Sequence, residues 1–129
     1  MVRLDKGMRK NIGVVEDNPD NRLLLQAILA DEFDIVEYET GVEALEGLAK
    51  GLPDILLLDI SLPGLDGVAV LAKIREDSRM AALPVIALTA HAMAGDRARY
   101  LDAGFNDYVS KPIVDETVLL DTIRKWLPR

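Results

Sequence analysis

The chain has 129 residues, half of them apolar, which suits one domain with a hydrophobic core of its own. It contains no Cys and a single His, which excludes disulfides, thiolate catalysis, Cys-based zinc sites and a His-rich metal centre. A net charge of -7 argues against a nucleic-acid partner, and no apolar run reaches the ~18 residues needed to span a bilayer, so a soluble cytoplasmic domain is expected.

Residues 1–10, MVRLDKGMRK, carry four basic side chains, no periodicity and no apolar signal-peptide core, and read as a flexible tail. From residue 11 to 129 the chain alternates short apolar runs with longer amphipathic stretches, the pattern of repeated strand–helix units. The first strand is Asn11 to Val15, ending at Glu16-Asp17-Asn18. Pro19 suits the first turn of a helix capped by Asn18 or Asp17, running to about Glu32 with Leu24, Ala27 and Ile28 inward. The second strand, Asp34 to Tyr38, is less apolar than the others, as an edge strand would be. A second helix starts after Thr40, places Ala44, Leu45, Leu48 and Ala49 on one stripe, and stops at Gly51-Leu52-Pro53.

The third strand, Ile55 to Leu58, is apolar on both faces and belongs in the middle of a parallel sheet. The loop Ser61-Leu62-Pro63-Gly64 leads to a helix from about Asp66 to Glu76. A fourth strand covers Val85 to Leu88, followed by a helix from about Ala92 to Ala103 that Gly104 closes. The fifth strand is Asp107 to Ser110, and a last helix runs from about Val114 to Trp126 with Leu119, Thr122, Ile123 and Trp126 at helical spacing. Five such units predict a doubly wound α/β (βα)5 fold with helices on both faces, and an edge position for the second strand suits the strand order 2-1-3-4-5.

In an open parallel sheet, ligands bind beyond the carboxyl ends of the strands near the point where strand order reverses. Glu16 and Asp17 follow the first strand, Asp59 ends the third, Thr89 the fourth and Lys111 the fifth. In the expected strand order these five residues converge. Like charges ~4 Å apart repel by ~4 kcal/mol at an effective dielectric of ~20, so clustered carboxylates call for a cation. Mg²⁺ takes one or two carboxylates and fills its other positions with water and phosphate oxygens. Lys111 and Thr89 would then serve anionic oxygens, a set suited to phosphoryl transfer with Asp59 as nucleophile.

The strings VVEDNPDN, LLLDISLPGLDG, ALTAHAM and YVSKPI, in that order, resemble the response-regulator receiver family over about residues 11 to 127. The resemblance implies a flavodoxin-like, CheY-like fold and Mg²⁺-dependent phosphorylation, with Mn²⁺ tolerated. It makes Asp59 the phosphoacceptor, Asp17 a direct Mg²⁺ ligand and Glu16 a ligand through water. Ser61 would add its backbone carbonyl to the metal shell. Lys111 would contact the phosphoryl group, and the Lys111–Pro112 peptide bond would be cis. Thr89 and Tyr108 would form the switch pair, and the side chains of Ser61 and His91 would tune the lifetime of the phosphorylated state. Two residues depart from the family pattern: Gly13 replaces a branched apolar residue in the first strand, and Leu65 stands where Met is frequent.

The family implies two kinds of partner. A sensor histidine kinase or histidine phosphotransfer protein supplies the phosphoryl group, and a downstream protein reads the face of helix four, strand five and helix five. Self-dephosphorylation is expected, and turnover of an external substrate is not. The chain reads as a free-standing receiver or as the receiver of a hybrid kinase, where LTAHAM strings are common. The alternatives are a receiver-like interaction module that never carries phosphate and a metal-dependent phosphatase working through an aspartyl phosphate. The first would ordinarily have lost part of the acidic and lysine set. The second would need a second Asp two residues after the nucleophile, where this chain has Ser61.

Overall fold

The computed structural model describes residues 9–90 and 95–128. Five units follow one another: β1 (Asn11–Val15), α1 (Pro19–Leu29), β2 (Asp34–Tyr38), α2 (Gly41–Lys50), β3 (Ile55–Asp59), α3 (Gly67–Glu76), β4 (Val85–Thr89), α4 (Asp96–Ala103), β5 (Asp107–Ser110) and α5 (Glu116–Trp126). All strand pairs are parallel, in the order β2-β1-β3-β4-β5. This is the CheY-like doubly wound architecture. Among the described residues, no helix is long and apolar enough to cross a membrane.

Strand alternation divides the core into two layers. Leu56 and Leu58 of β3 and Val85 and Ala87 of β4 face Ala44, Leu48, Val70, Leu71, Ile74 and Tyr100, from α2, α3 and α4. Ile55, Leu57, Ile86 and Leu88 face the other way, against Leu25 and Leu29 of α1 and Leu119 and Ile123 of α5. Every residue of β3 and β4 is buried, as expected of strands covered on both sides. Gly13 in β1 has a steric reason. A Cβ there would lie 2.8 Å from Leu56 Cδ1 and 2.9 Å from Pro53 Cγ.

Helix starts follow side-chain caps that satisfy otherwise orphaned amides. The Asn18 side chain accepts from Asp20 and Asn21, Thr40 from Glu43, Asp66 from Ala69, and Asp115 from Thr117. Consequently α3 starts at Gly67 and α5 at Glu116, each just inside its acidic cap, and Val114 is 91 % exposed rather than helical. Helix α1 ends at Leu29, short of the expected Glu32, because the amides of Glu32 and Phe33 both turn back to the Leu29 carbonyl. Its buried stripe is Leu25 and Leu29. Leu24 and Ala27 are exposed and Ile28 is half-buried. Likewise Ala49 in α2 faces solvent, while Ala44 and Leu48 are buried. The expected start of the fourth helix at Ala92 lies outside the described residues, within which α4 begins at Asp96.

Arg75 ties the lower part of the molecule together. Its guanidinium donates to the carbonyls of Ala81, Leu83 and Gly104 and to Asn106 Oδ1, which also accepts from the Val85 amide. One side chain thereby joins the end of α3, the approach to β4 and the α4–β5 turn.

Candidate functional site

The carboxyl ends of β1 and β3 bring three carboxylates together. Oxygens of Glu16, Asp17 and Asp59 all lie within 4.8 Å of one another. Glu16 is 1 % exposed and Asp59 3 %, whereas Asp17 is open to solvent. Glu16 is held on all sides. One carboxylate oxygen accepts from the Asn18 amide at 3.2 Å, and the other accepts from Asn21 Nδ2 at 3.2 Å and Lys111 Nζ at 3.1 Å. Burial raises the Glu16 carboxyl above its ordinary value, with Asp59 adding to the rise and the Asn18 amide and Lys111 opposing it.

Asp59 Oδ1 accepts from the Ser61 amide at 3.0 Å, and Oδ2 accepts from Lys111 Nζ at 3.1 Å. The Lys111 ammonium therefore bridges the two buried carboxylates. Burial works against its charge, but the hydrogen bonds to Asp59 and Glu16 outweigh burial, and its pKa lies above the ordinary lysine value. The strand register places it: the Lys111 amide donates to the Thr89 carbonyl at 2.8 Å, and the following bond to Pro112 is cis. The main chain behind Asp59 is closely packed as well. A Cβ at Gly67 would sit 2.3 Å from the Asp59 carbonyl oxygen, so the start of α3 lies directly against the carboxylate's own backbone.

Thr89 ends β4, 1 % exposed. Its Oγ1 lies 2.8 Å from the hydroxyl oxygen of Tyr100 in α4. Tyr108 in β5 is half-buried with its ring centroid 6.1 Å from that of Tyr100. The structure thus gathers Glu16, Asp17, Asp59 and Lys111 into one cluster, with the Ser61 amide on Asp59. It also sets the Thr89 hydroxyl against the Tyr100 phenol, with the Tyr108 ring beside Tyr100. His91 lies outside the described residues.

Sequence reading missed three contributors. Arg22 Nη1 donates to the carbonyls of Glu16 and Asp17 at 2.8 and 3.1 Å, pinning the loop that carries both acids. Glu37 and Glu39 flank that guanidinium at 3.5 and 3.6 Å. Asn21 orients the Glu16 carboxylate from the first turn of α1. Tyr100 is the third. An Arg and an Asn in the first turns after an acidic pair are ordinary helix-surface residues by composition, and only the loop geometry assigns them to the site.

Three hard oxygen ligands beside a half-buried ammonium match the donor chemistry of a small divalent cation. Residues 12–124 match the response regulator receiver domain. The chain belongs to the response regulator receiver family. The receiver is 36 % identical to the polar-differentiation response regulator DivK of Brucella ovis over 121 residues, covering 93 % of this chain and 98 % of DivK. It is 38 % identical to the sensor protein GacS of Pseudomonas syringae over 116 residues, where 87 % of the receiver spans only 13 % of GacS. Among solved structures, it resembles a response regulator from Chloroflexus aurantiacus with a TM-score of 0.86 and 29 % identity, covering 94 % of this chain and 99 % of that one. It also resembles the receiver domain of a sensor histidine kinase from Pseudomonas aeruginosa PAO1, solved with a magnesium ion coordinated in its active-site cleft. The TM-score there is 0.82 and the identity 34 %, over 92 % of this receiver and 97 % of that chain.

Proposed function

We propose that the receiver accepts a phosphoryl group on Asp59 from a phosphohistidine, and that the adduct changes the face formed by α4, β5 and α5. The observation that carries this reading is the Lys111 ammonium, held 3.1 Å from both Asp59 and Glu16. A carboxylate oxygen of Asp59 attacks phosphorus, forming the O–P bond of an acyl phosphate as the P–N bond breaks. The imidazole leaves with the electron pair of that bond and takes up a proton. Lys111 offsets charge on the transferred oxygens, and the Thr89 hydroxyl donates to one of them. Asp17, Asp59, Glu16 through water and the Ser61 carbonyl would hold Mg²⁺, or Mn²⁺ in its place, which supplies neutralisation of the carboxylates and of the incoming phosphoryl oxygens. Hydrolysis returns Asp59 to the free acid, its rate tuned by the side chains of Ser61 and His91.

Relatives such as GacS and the BarA histidine kinase of Escherichia coli support a sensor histidine kinase or a phosphotransfer protein as donor. Such a donor places the receiver in the cytoplasm. Tyr108, beside Tyr100, is assigned the inward-turning ring of the switch, and a downstream protein is assigned to the α4–β5–α5 face. The test is intact-mass measurement after incubation with Mg²⁺ and acetyl phosphate. One added phosphoryl group in the wild type and none in Asp59→Asn or without divalent cation is expected. No adduct on the wild type would leave a phosphorylation-independent interaction module as the better reading.

A further inference from the structure

Thr89 Oγ1 and the Tyr100 hydroxyl oxygen lie 2.8 Å apart, and both residues are buried. The Tyr100 ring is fixed by its neighbours: Phe105 edge-on at 89° and Tyr108 tilted at 45°, each with centroids 6.1 Å away. The Phe105 amide donates to the Tyr100 carbonyl at 3.1 Å, and Gly104 closes the helix in the left-handed region at φ 112°. On the solvent side, Arg99 Nη2 donates to the same phenol oxygen at 3.2 Å, and its guanidinium carbon lies 5.0 Å from the ring centroid. Arg99 pairs in turn with Asp96 at 3.3 Å, and its side chain is 65 % exposed. Thr89 stands one residue beyond Leu88, which is in register with Asp59. A run of polar contacts therefore leads from the edge of the site to the surface of α4.

We propose that Tyr100 is the positioning residue for Thr89, and that their hydrogen bond carries the state of Asp59 to the exposed face of α4. The inference rests on the proposed phosphoacceptor role of Asp59. A Thr89 hydroxyl drawn towards a phosphoryl oxygen must either stretch its 2.8 Å contact with Tyr100 or pull the phenol with it. Phe105 packs edge-on against the Tyr100 ring and its amide holds the Tyr100 carbonyl, so a pull on the phenol reaches the helix rather than being absorbed by a rotamer change. Arg99, which shares the phenol oxygen, reports the change at the surface. A hydrogen bond of ordinary net strength biases a two-state equilibrium about fivefold.

The experiment follows the backbone amide NMR signals of α4 before and after Mg²⁺ and acetyl phosphate, in wild type, Tyr100→Phe, Thr89→Val and the double variant. Intact mass scores the adduct in each sample, so that only phosphorylated protein enters the comparison. The expected result is a wild-type response in α4 that is about fivefold weaker in population terms in Tyr100→Phe. In the Thr89→Val background the same change should add nothing, because the bond is already gone. A full α4 response in Tyr100→Phe, or additive effects in the double variant, would overturn the proposal while leaving phosphorylation of Asp59 intact. Absence of an adduct on wild type would overturn the phosphoacceptor reading and this inference with it. Should Tyr100→Phe not fold, wild-type protein labelled with 3-fluorotyrosine gives a second readout. The Tyr100 fluorine signal must move on phosphorylation, and an unmoved signal overturns the proposal.

Discussion

Replacing Lys111 by Met removes the ammonium that bridges two buried carboxylates while keeping most of the side chain's apolar length. Each 3.1 Å contact is worth ~5 kcal/mol of Coulomb attraction at an effective dielectric of ~20, most of it offset by the desolvation of all three groups. Removing the cation also exposes the repulsion between Glu16 and Asp59. Oxygens within 4.8 Å of each other repel by at least ~3.5 kcal/mol on the same scale. Proton uptake limits the loss. The Glu16 carboxyl already lies above 4.5 in the folded protein, and without Lys111 it moves higher. A carboxyl raised on folding contributes stability that is fully present below the unfolded value and lost as pH rises through the folded value. The variant should therefore be about 3 kcal/mol less stable than wild type near pH ~8 and within about 1 kcal/mol of it near pH ~4. Urea unfolding followed by Trp126 fluorescence and far-ultraviolet dichroism, across that range, measures both numbers. Adding Mg²⁺ at ~100 times its dissociation constant should return about 2.7 kcal/mol, since the ion binds only the folded acids. The variant should also bind Mg²⁺ more tightly than wild type, because the competing ammonium is gone. A difference below about 0.5 kcal/mol that stays flat with pH would refute the assignment of Lys111 as counter-charge to this pair.

Further predictions test the packing behind Asp59 and two charged side chains elsewhere in the fold. Gly67→Ala sets a methyl 2.3 Å from the Asp59 carbonyl oxygen and 2.8 Å from Ile60 Cα, both main-chain atoms. It should cost about 1–3 kcal/mol in urea unfolding and slow adduct formation, despite a helix-propensity gain of up to ~1 kcal/mol. Gly51→Ala, with nothing within 4 Å, should match wild type in both assays. Arg75→Met strips partners from three carbonyls and Asn106, and should lower stability by about 3 kcal/mol, read as a fall in melting temperature. Asp77, hydrogen-bonded by the side chain and then the amide of Arg79, is held down to about 2. Its NMR titration midpoint should rise towards 3.8 in Arg79→Gln. Because the folded value is depressed, this pair supports the fold above 3.8 and loses its contribution as pH falls towards about 2.

Much of this was legible in the amino-acid order, because burial and chemistry leave different marks. The run Ile55 to Leu58 is apolar on both faces only because helices cover both, and the Asp that closes it stands out for that reason. Strand two, less apolar than the others, announced its edge position, and its middle residues are exposed in the structure. The stripe of α1 was misread because residues 23–25 and 27–29 are all apolar, which fits several adjacent helical faces. Only the packing against β1 and α5 selects Leu25 and Leu29. Arg22 and Tyr100 were hidden for a different reason. Their roles depend on a loop carbonyl and a hydroxyl brought close by the fold, and neither leaves a periodic signal. The switch pair of Thr89 and Tyr108 came from resemblance, and the hydrogen bond of Thr89 to Tyr100 is an addition that only the placement of α4 supplies.

Reductive trapping decides whether Asp59 is the carboxylate that carries the phosphoryl group. Borohydride converts an aspartyl phosphate to homoserine, which peptide mass spectrometry locates. After phosphorylation in the presence of Mg²⁺, homoserine is expected at position 59 and at no other acidic residue, including Glu16 and Asp17. Homoserine elsewhere, or none in protein that has gained phosphate, would rule out Asp59 as the phosphoacceptor.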